Sequence, residues 1–258
     1  MFKPKPAKYS DDEWQTRVNL AACYRLVEHF DMSDLVSNHI SARIPGTHEE
    51  ILLNPFGMLY EEITASSLIK INLAGEILDN PHSNYSINLA GYIIHGAIHE
   101  ARPEVGCVVH THSVAGVALS CLKCGILPIS QSSMRFAKYA YHDYEGVAFE
   151  PGEKSRLVTD LGDCDVMVLR NHGLLACGSD IAQAFNAIFR LEKICKIQLA
   201  AMACNTELNM PSDALVHRSN AQYAANPSAM GKKATAFGVM EWPAMLRMLD
   251  RRDPSYRD

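Results

Sequence analysis

Two kinds of hydrophobic pattern alternate along this chain, and that alternation is the strongest constraint on its fold. Residues 11–30 place Val18, Ala22, Cys23, Leu26 and Phe30 at helical spacing. Residues 84–101 also read as a helix, stopped by Pro103, and residues 113–125 as another, with Ser113 as N-cap and Gly125 as stop. Between these two helices lies VGCVVHTH, a short unbroken apolar run of the kind that forms a buried strand. DVMVLRNHGLLACG holds two more such runs, broken at Asn171–Gly173, and a long helix follows from Ser179 or Asp180. Interleaved helices and strands place the chain in the α/β class.

The remaining segments fit the same scheme. HISARIP and EEILLNP are short β-like runs within a stretch of strands and turns over 38–80, and NPFG is a turn. TASSLIKINLAGEIL offers a short helix start at Thr64 or Ser66, a strand LIKINL and a turn at Ala74–Gly75. Residues 205–235 are polar and of low order, with HRSNAQYAAN as a helical stretch, and EWPAMLRMLDRR is the last helix. No repeat or composition break divides the chain. The expected organisation is a flexible Pro/Lys-rich arm over 1–10 and one domain over 11–258.

Composition narrows the function classes. A chain of 258 residues that is 48% hydrophobic has ample material for one large core. Its net charge of −5 gives no electrostatic reason to expect nucleic acid or an anionic membrane surface. The eight cysteines sit mostly in apolar runs such as VGCVVH and GLLACG, as buried free thiols do. MFKPKPAKYSDDEW contains no apolar stretch, so a reducing cytoplasm is the expected compartment. No run approaches transmembrane length, and neither a GxGxxG nor a Walker-type phosphate loop occurs.

Histidines carry the chemistry. His110 and His112 flank Thr111 at the end of a strand, where residues two apart share a face. His172 lies where VMVLRN meets a Gly turn. If the two strand ends are neighbours, three imidazoles converge, and three protein ligands with an open position is the arrangement of a catalytic zinc site. Spacing alone leaves open that the H-x-H pair is a surface or core pair. His95 and His99 share one helix face, which reads first as a packed or surface pair. Cys121 and Cys124 read as buried positions on an amphipathic helix.

Several longer motifs then occur in order: NHISARI, NPFGMLYEEITASSLIKINLAGEIL, NLAGYIIHGAIHEARPEVGCVVHTH, LKCGILPIS, AYHDYEG and LRNHGLLACG. Together they resemble the class II aldolase/adducin family, over roughly residues 15–205. The resemblance implies a single-domain three-layer α/β/α fold with a mostly antiparallel central sheet. It implies that His110, His112 and His172 hold one divalent ion, Zn²⁺ first, with Mn²⁺ or Fe²⁺ as alternatives. It further implies a small-molecule substrate and a homotetramer.

The departures from the aldolase pattern share one direction. A gap-free count back from Ala101-Arg102-Pro103 puts Gly91 where the aldolases carry a glutamate base. Leu89 and Ala90 replace phosphate-holding serines, and Phe56 precedes Gly57 in a loop that is hydroxyl- or Gly-rich in the aldolases. The G-N-x-S-x-R motif reads Asn38-His39, with Ser41 and Arg43 kept. Leucine, alanine and phenylalanine supply no side-chain donors to a phosphate. The catalytic base is therefore unassigned, with Glu61, Glu62, Glu100 and Glu145 as carboxylates elsewhere in the chain. His39, Ser41 and Gly57 are the candidate substrate-binding residues. Arg135, Lys138, Tyr139 and His39 are candidates to orient a carboxylate. The expected function is a metal-dependent lyase acting on an unphosphorylated carbonyl or carboxylate compound, by retro-aldol cleavage or decarboxylation. The alternative is a non-catalytic, adducin-like oligomerisation or cytoskeletal interaction module.

Overall fold

The computed structural model describes residues 4–82, 84–146, 151–225 and 236–258. The chain begins with helix α1 (Asp11–His29), whose N-terminus is fixed by Ser10 accepting a hydrogen bond from the Glu13 amide and by three acidic residues in the first turn. Four strands follow: β1 (His39–Arg43), β2 (Glu50–Leu53), β3 (Ile69–Asn72) and β4 (Ile77–Asp79). Helix α2 (Leu89–Ala101) leads into β5 (Cys107–Thr111), α3 (Val114–Ser120), β6 (Ala140–His142) and α4 (Pro151–Leu161). The chain then forms β7 (Val166–Leu169), β8 (Gly173–Gly178), α5 (Ile181–Ala203), α6 (Asp213–Ala225) and α7 (Trp242–Arg252).

All eight strands join one sheet in the order β4-β3-β2-β1-β5-β8-β7-β6. The pairings are antiparallel except β6 with β7. Side chains on the central strands alternate between the two faces of the sheet. Ile40, Ala42, Cys107, Val109, Leu174 and Ala176 join residues of α1, α5 and α7 in the largest cluster. Val108, Leu175 and Cys177 face the other way, against Ile94 and Ile98 of α2 and Leu157 and Leu161 of α4. The result is the expected α/β/α sandwich, with a mixed, mostly antiparallel sheet.

Some elements differ from the expectations. The turn after β2 winds into a 3₁₀ segment at Tyr60–Glu62, and no helix starts at Thr64 or Ser66. Helix α2 begins at Leu89, five residues late, and α3 ends at Ser120, well before Gly125. Strand β6 and helix α4 were not anticipated: AYH is too short to show a period, and PGEKSRLVTDL is mostly polar. Within the connection over 205–235, α6 takes the place of the expected helical stretch, and residues 226–235 lie outside the described residues.

The described part of the N-terminal arm is anchored. Tyr9 is buried, its hydroxyl donates to Asp79 at 2.6 Å, and its ring lies under the Arg17 guanidinium. Lys8 pairs with the same Asp79 carboxylate at 2.7 Å. Arg17 itself is fully buried and is held by Glu13, Asp79 and the Leu68 carbonyl. Polar residues in the sequence of an arm thus become fixed when a buried guanidinium gives them a charge to meet. Among the described residues, no helix is long and apolar enough to cross a membrane.

Candidate metal centre

Strands β5 and β8 pair so that His110 stands opposite Leu175. The turn between β7 and β8 carries Asn171 in the left-handed region at φ 55°, a conformation that asparagine tolerates better than most residues. That turn aims His172 back toward the end of β5. It requires Gly173, because a Cβ there would lie 2.4 Å from the Thr111 carbonyl oxygen. His112 lies one residue beyond β5, and the next residue, Ser113, caps α3 by accepting from the Gly116 amide. Buried Glu192 of α5 accepts the Ser113 hydroxyl proton and pins the turn that holds His112.

The three side chains meet through their Nε2 atoms. His110 Nε2 is 2.8 Å from His112 Nε2, and His112 Nε2 is 2.9 Å from His172 Nε2. They form a cluster of potential ligand atoms all within 4.8 Å of one another. The outer nitrogens settle the tautomers. His110 Nδ1 lies 2.9 Å from the Leu174 carbonyl, and His112 Nδ1 lies 3.0 Å from the Asp34 carboxylate. Both oxygens only accept, so both Nδ1 atoms carry the proton and both Nε2 atoms are lone pairs when the rings are neutral. Two lone pairs facing each other across 2.8 Å repel unless a cation lies between them.

Protonating His110 or His172 does not answer that need. Burial, reinforced by the neighbouring His172, His39 and His112, holds His110 well below its usual 6.5. Burial and then His112 push His172 down to about 4. Three imidazoles converging through Nε2, two of them with Nδ1 held from outside by the Leu174 carbonyl and Asp34, suit a divalent ion. An Asp34→Asn variant is expected to keep the fold and weaken zinc affinity about 10–100-fold. Competition with a fluorescent chelator measures this, and unchanged affinity would show that Asp34 does not orient His112.

The same end of the sheet carries more histidine. His39 stands opposite His110 in the β1–β5 pairing, with ring centroids 5.0 Å apart. Its Nδ1 is 2.9 Å from His95 Nε2. Ser41 Oγ lies 2.7 Å from His95 Nδ1 and 2.8 Å from His99 Nε2. His95 and His99, read from sequence first as a packed or surface pair, are buried and joined to strand β1 through this network. The sequence signal was present in their i,i+4 spacing, but their partners on β1 lie more than 50 residues away.

The other candidates separate. Gly57, at φ 108°, follows Asn54, whose side chain shares the Tyr24 hydroxyl with the Ile40 backbone. This places the Gly57 loop at the His39 end of β1, under the Tyr85 ring. Ser41 is fully buried, with its hydroxyl taken up by two histidines. Gly91 faces His39 directly: a Cβ there would lie 2.3 Å from the ring. Arg135 and Lys138 line a separate cavity of about 530 Å³ with Cys177 and Gly178, at the opposite end of β8 from His172. Tyr139 donates to the Ser133 carbonyl. Glu145 pairs with Arg156, and Glu62 accepts from the Leu59 amide. Cys121 and Cys124 are exposed rather than buried, because α3 ends before them.

Comparison with known proteins agrees with this architecture. Residues 18–199 match the family model described as the Class II Aldolase and Adducin N-terminal domain. A Pseudomonas aeruginosa protein of the aldolase class 2 group is 47% identical over 97% of this chain and 95% of its own length. Rat alpha-adducin is 39% identical over 94% of this chain, which spans 34% of that longer protein. The crystal structure of an aldolase II superfamily protein from Pseudomonas syringae superposes with a TM-score of 0.90 at 44% identity, covering 97% of this chain and 98% of that one. The L-fuculose 1-phosphate aldolase of Glaciozyma antarctica gives 0.83 at 26% identity, covering 99% and 97%. The chain therefore belongs to the class II aldolase and adducin N-terminal domain family.

Proposed function

We propose that the chain is a metal-dependent lyase that cleaves a carbon–carbon bond in an unphosphorylated carbonyl or carboxylate compound. The observation that carries this reading is the facing pair of Nε2 lone pairs on His110 and His112, with His172 beside them. His110, His112 and His172 would hold one divalent ion, zinc in the first place. A bound ion there supplies Lewis-acid polarisation of a carbonyl or carboxylate oxygen. The chain's own residues do the rest. Leu174 and Asp34 hold the imidazoles in register, and burial keeps His110 neutral. His39 presents a polar edge beside His110, while Gly91 leaves room for that ring. The Leu89 and Phe56 side chains, both exposed, offer no hydrogen bond to a phosphate, which favours a substrate without one.

A second reading, an adducin-like assembly module, is favoured by the 39% identity to alpha-adducin. One experiment separates the two. The protein is purified without added metal, reconstituted with zinc, and screened against hydroxy-aldehydes, hydroxy-ketones, β-keto acids and aromatic carboxylic acids. Turnover that disappears with chelator and returns with zinc is the expected result. Bound zinc without turnover on any of them would favour the assembly module. The homotetramer and the cytoplasmic location belong to the same proposal, and sedimentation of the full chain tests the first.

A further inference from the structure

The buried network behind the metal histidines has a direction. It starts at the Val105 carbonyl, which His99 Nδ1 approaches at 3.3 Å. A carbonyl only accepts, so His99 carries its proton on Nδ1 and leaves Nε2 as a lone pair. The Ser41 hydroxyl must then donate its one proton to His99 Nε2, at 2.8 Å. With that proton committed, Ser41 can only accept from His95, so His95 Nδ1 carries a proton, at 2.7 Å. His95 Nε2 is then an acceptor, and His39 Nδ1 must donate to it, at 2.9 Å. Every neutral ring in the line is forced in turn, and the last atom reached is His39 Nε2, left with a free lone pair.

That atom occupies a special place. It has no hydrogen-bond partner among the described residues, although His39 is only 5% exposed. Its ring fills the notch above Gly91, where a Cβ would sit 2.7 Å from Nε2. The ring lies beside His110 and within electrostatic reach of His112 and His172. The network also divides the core under α2: one apolar cluster on β2 and β3, another on β5, β7 and β8, and polar β1 between them. Leucine or valine at 39, 41, 95 and 99 would join the two clusters. A buried polar chain in their place is costly unless its members are bonded, and here every link from the Val105 carbonyl to His39 Nδ1 is made.

We propose that His39 is a substrate-positioning residue, held by this relay as the Nδ1–H tautomer so that Nε2 accepts a hydrogen bond from a hydroxyl of the ligand. The inference rests on the metal reading above for where the ligand sits, but not for the tautomer. It specifies the ligand class: a hydroxy-carbonyl or hydroxy-carboxylate whose hydroxyl donates toward β1 while its oxygen faces the three histidines. Ser41, His95 and His99 act through His39 and touch no ligand.

Two measurements test this. In metal-free protein with ¹⁵N-labelled histidine rings, two-bond proton–nitrogen correlation spectra report each tautomer. His39, His95 and His99 are expected as Nδ1–H. In Ser41→Ala, His95 and His39 should become tautomer mixtures while His99 keeps its Nδ1 proton, and Ser41→Thr should restore the wild-type pattern. An Nε2-protonated His39 in the wild type, or a His39 tautomer indifferent to Ser41→Ala, overturns the proposal. In zinc-loaded protein, affinities for glycolate and acetate are compared by calorimetric competition. The glycolate-to-acetate ratio should fall about tenfold in His39→Leu and in Ser41→Ala, and hold in Ser41→Thr. An unchanged ratio in His39→Leu overturns the proposal, and Gly91→Ala, which displaces the ring, serves if that variant does not fold. Zinc content is measured on every sample: absence of zinc from the wild type sinks the metal reading while the tautomer spectra still decide the relay.

Discussion

Replacing His110 by alanine is expected to reduce bound zinc from about one ion per chain to below a tenth, the largest functional effect of any single substitution here. His110 is fully buried, and its Nδ1 is locked to the Leu174 carbonyl. The strand that carries it is fixed on both sides, by β1 and by β8. The loss should exceed the 10–100-fold expected from an orienting partner such as Asp34. His172→Ala should lose metal too, and it is the cleaner control for stability, since His172 sits in a turn and not in the sheet. Elemental analysis of protein dialysed against trace zinc measures both. Chelator should lower the melting temperature of the wild type and leave the variants unmoved. A variant that retains one zinc per chain would show that the ion binds elsewhere, and the exposed Cys121 and Cys124 would then be the first place to look.

Mild acid is expected to unfold the metal-free protein. His39, His95 and His110 are all held well below 6.5, with burial as the largest cause and neighbouring histidines as the next. His99 is pushed down to about 3, by burial and then by the Arg43 guanidinium. The sign follows from proton counting. Below pH 6.5 the unfolded chain protonates these rings, while the folded chain keeps them neutral. The unfolded state thus binds more protons, and stability falls as pH falls. For His99 the loss starts near 6.5, continues to about 3, and then levels off. Each such ring contributes a slope of up to about 1.4 kcal/mol per pH unit. The other three rings shift in the same direction, so their losses add to that of His99. Circular dichroism melts of chelator-treated protein between pH 7.5 and 4 should show a steep drop below pH 6. A melting temperature that holds to pH 4.5 would contradict the burial of these histidines as neutral rings.

Which parts of this could be read in the chain follows from how local each signal is. Helices α1, α5 and α7 announce themselves within their own residues, α5 also through its Asp180 cap, and strands β5, β7 and β8 through short apolar runs. Strand β6 and helix α4 do not, because their stability comes from packing on β7 and α2, a relation that no short window contains. The histidine cluster was visible as an H-x-H at a strand end and a histidine in a Gly turn. What made the residues converge, the antiparallel pairing of β5 with β8, needed the fold. The glutamate expected at position 91 illustrates the limit best. Sequence shows a glycine there, and reads it as a loss. The structure shows an imidazole from β1 filling the space over that glycine, so the His39 ring and a side chain at 91 compete for the same volume. Ser41, a candidate ligand contact by sequence, has its hydroxyl between the rings of His95 and His99, a placement that only the fold reveals.

The most direct test of the account is X-ray absorption at the zinc edge of the reconstituted protein. Three imidazole nitrogens at about 2.0–2.1 Å, one or two further light atoms and no sulfur is the predicted first shell. A sulfur shell at about 2.3 Å would place the ion on cysteine and contradict a centre built from His110, His112 and His172.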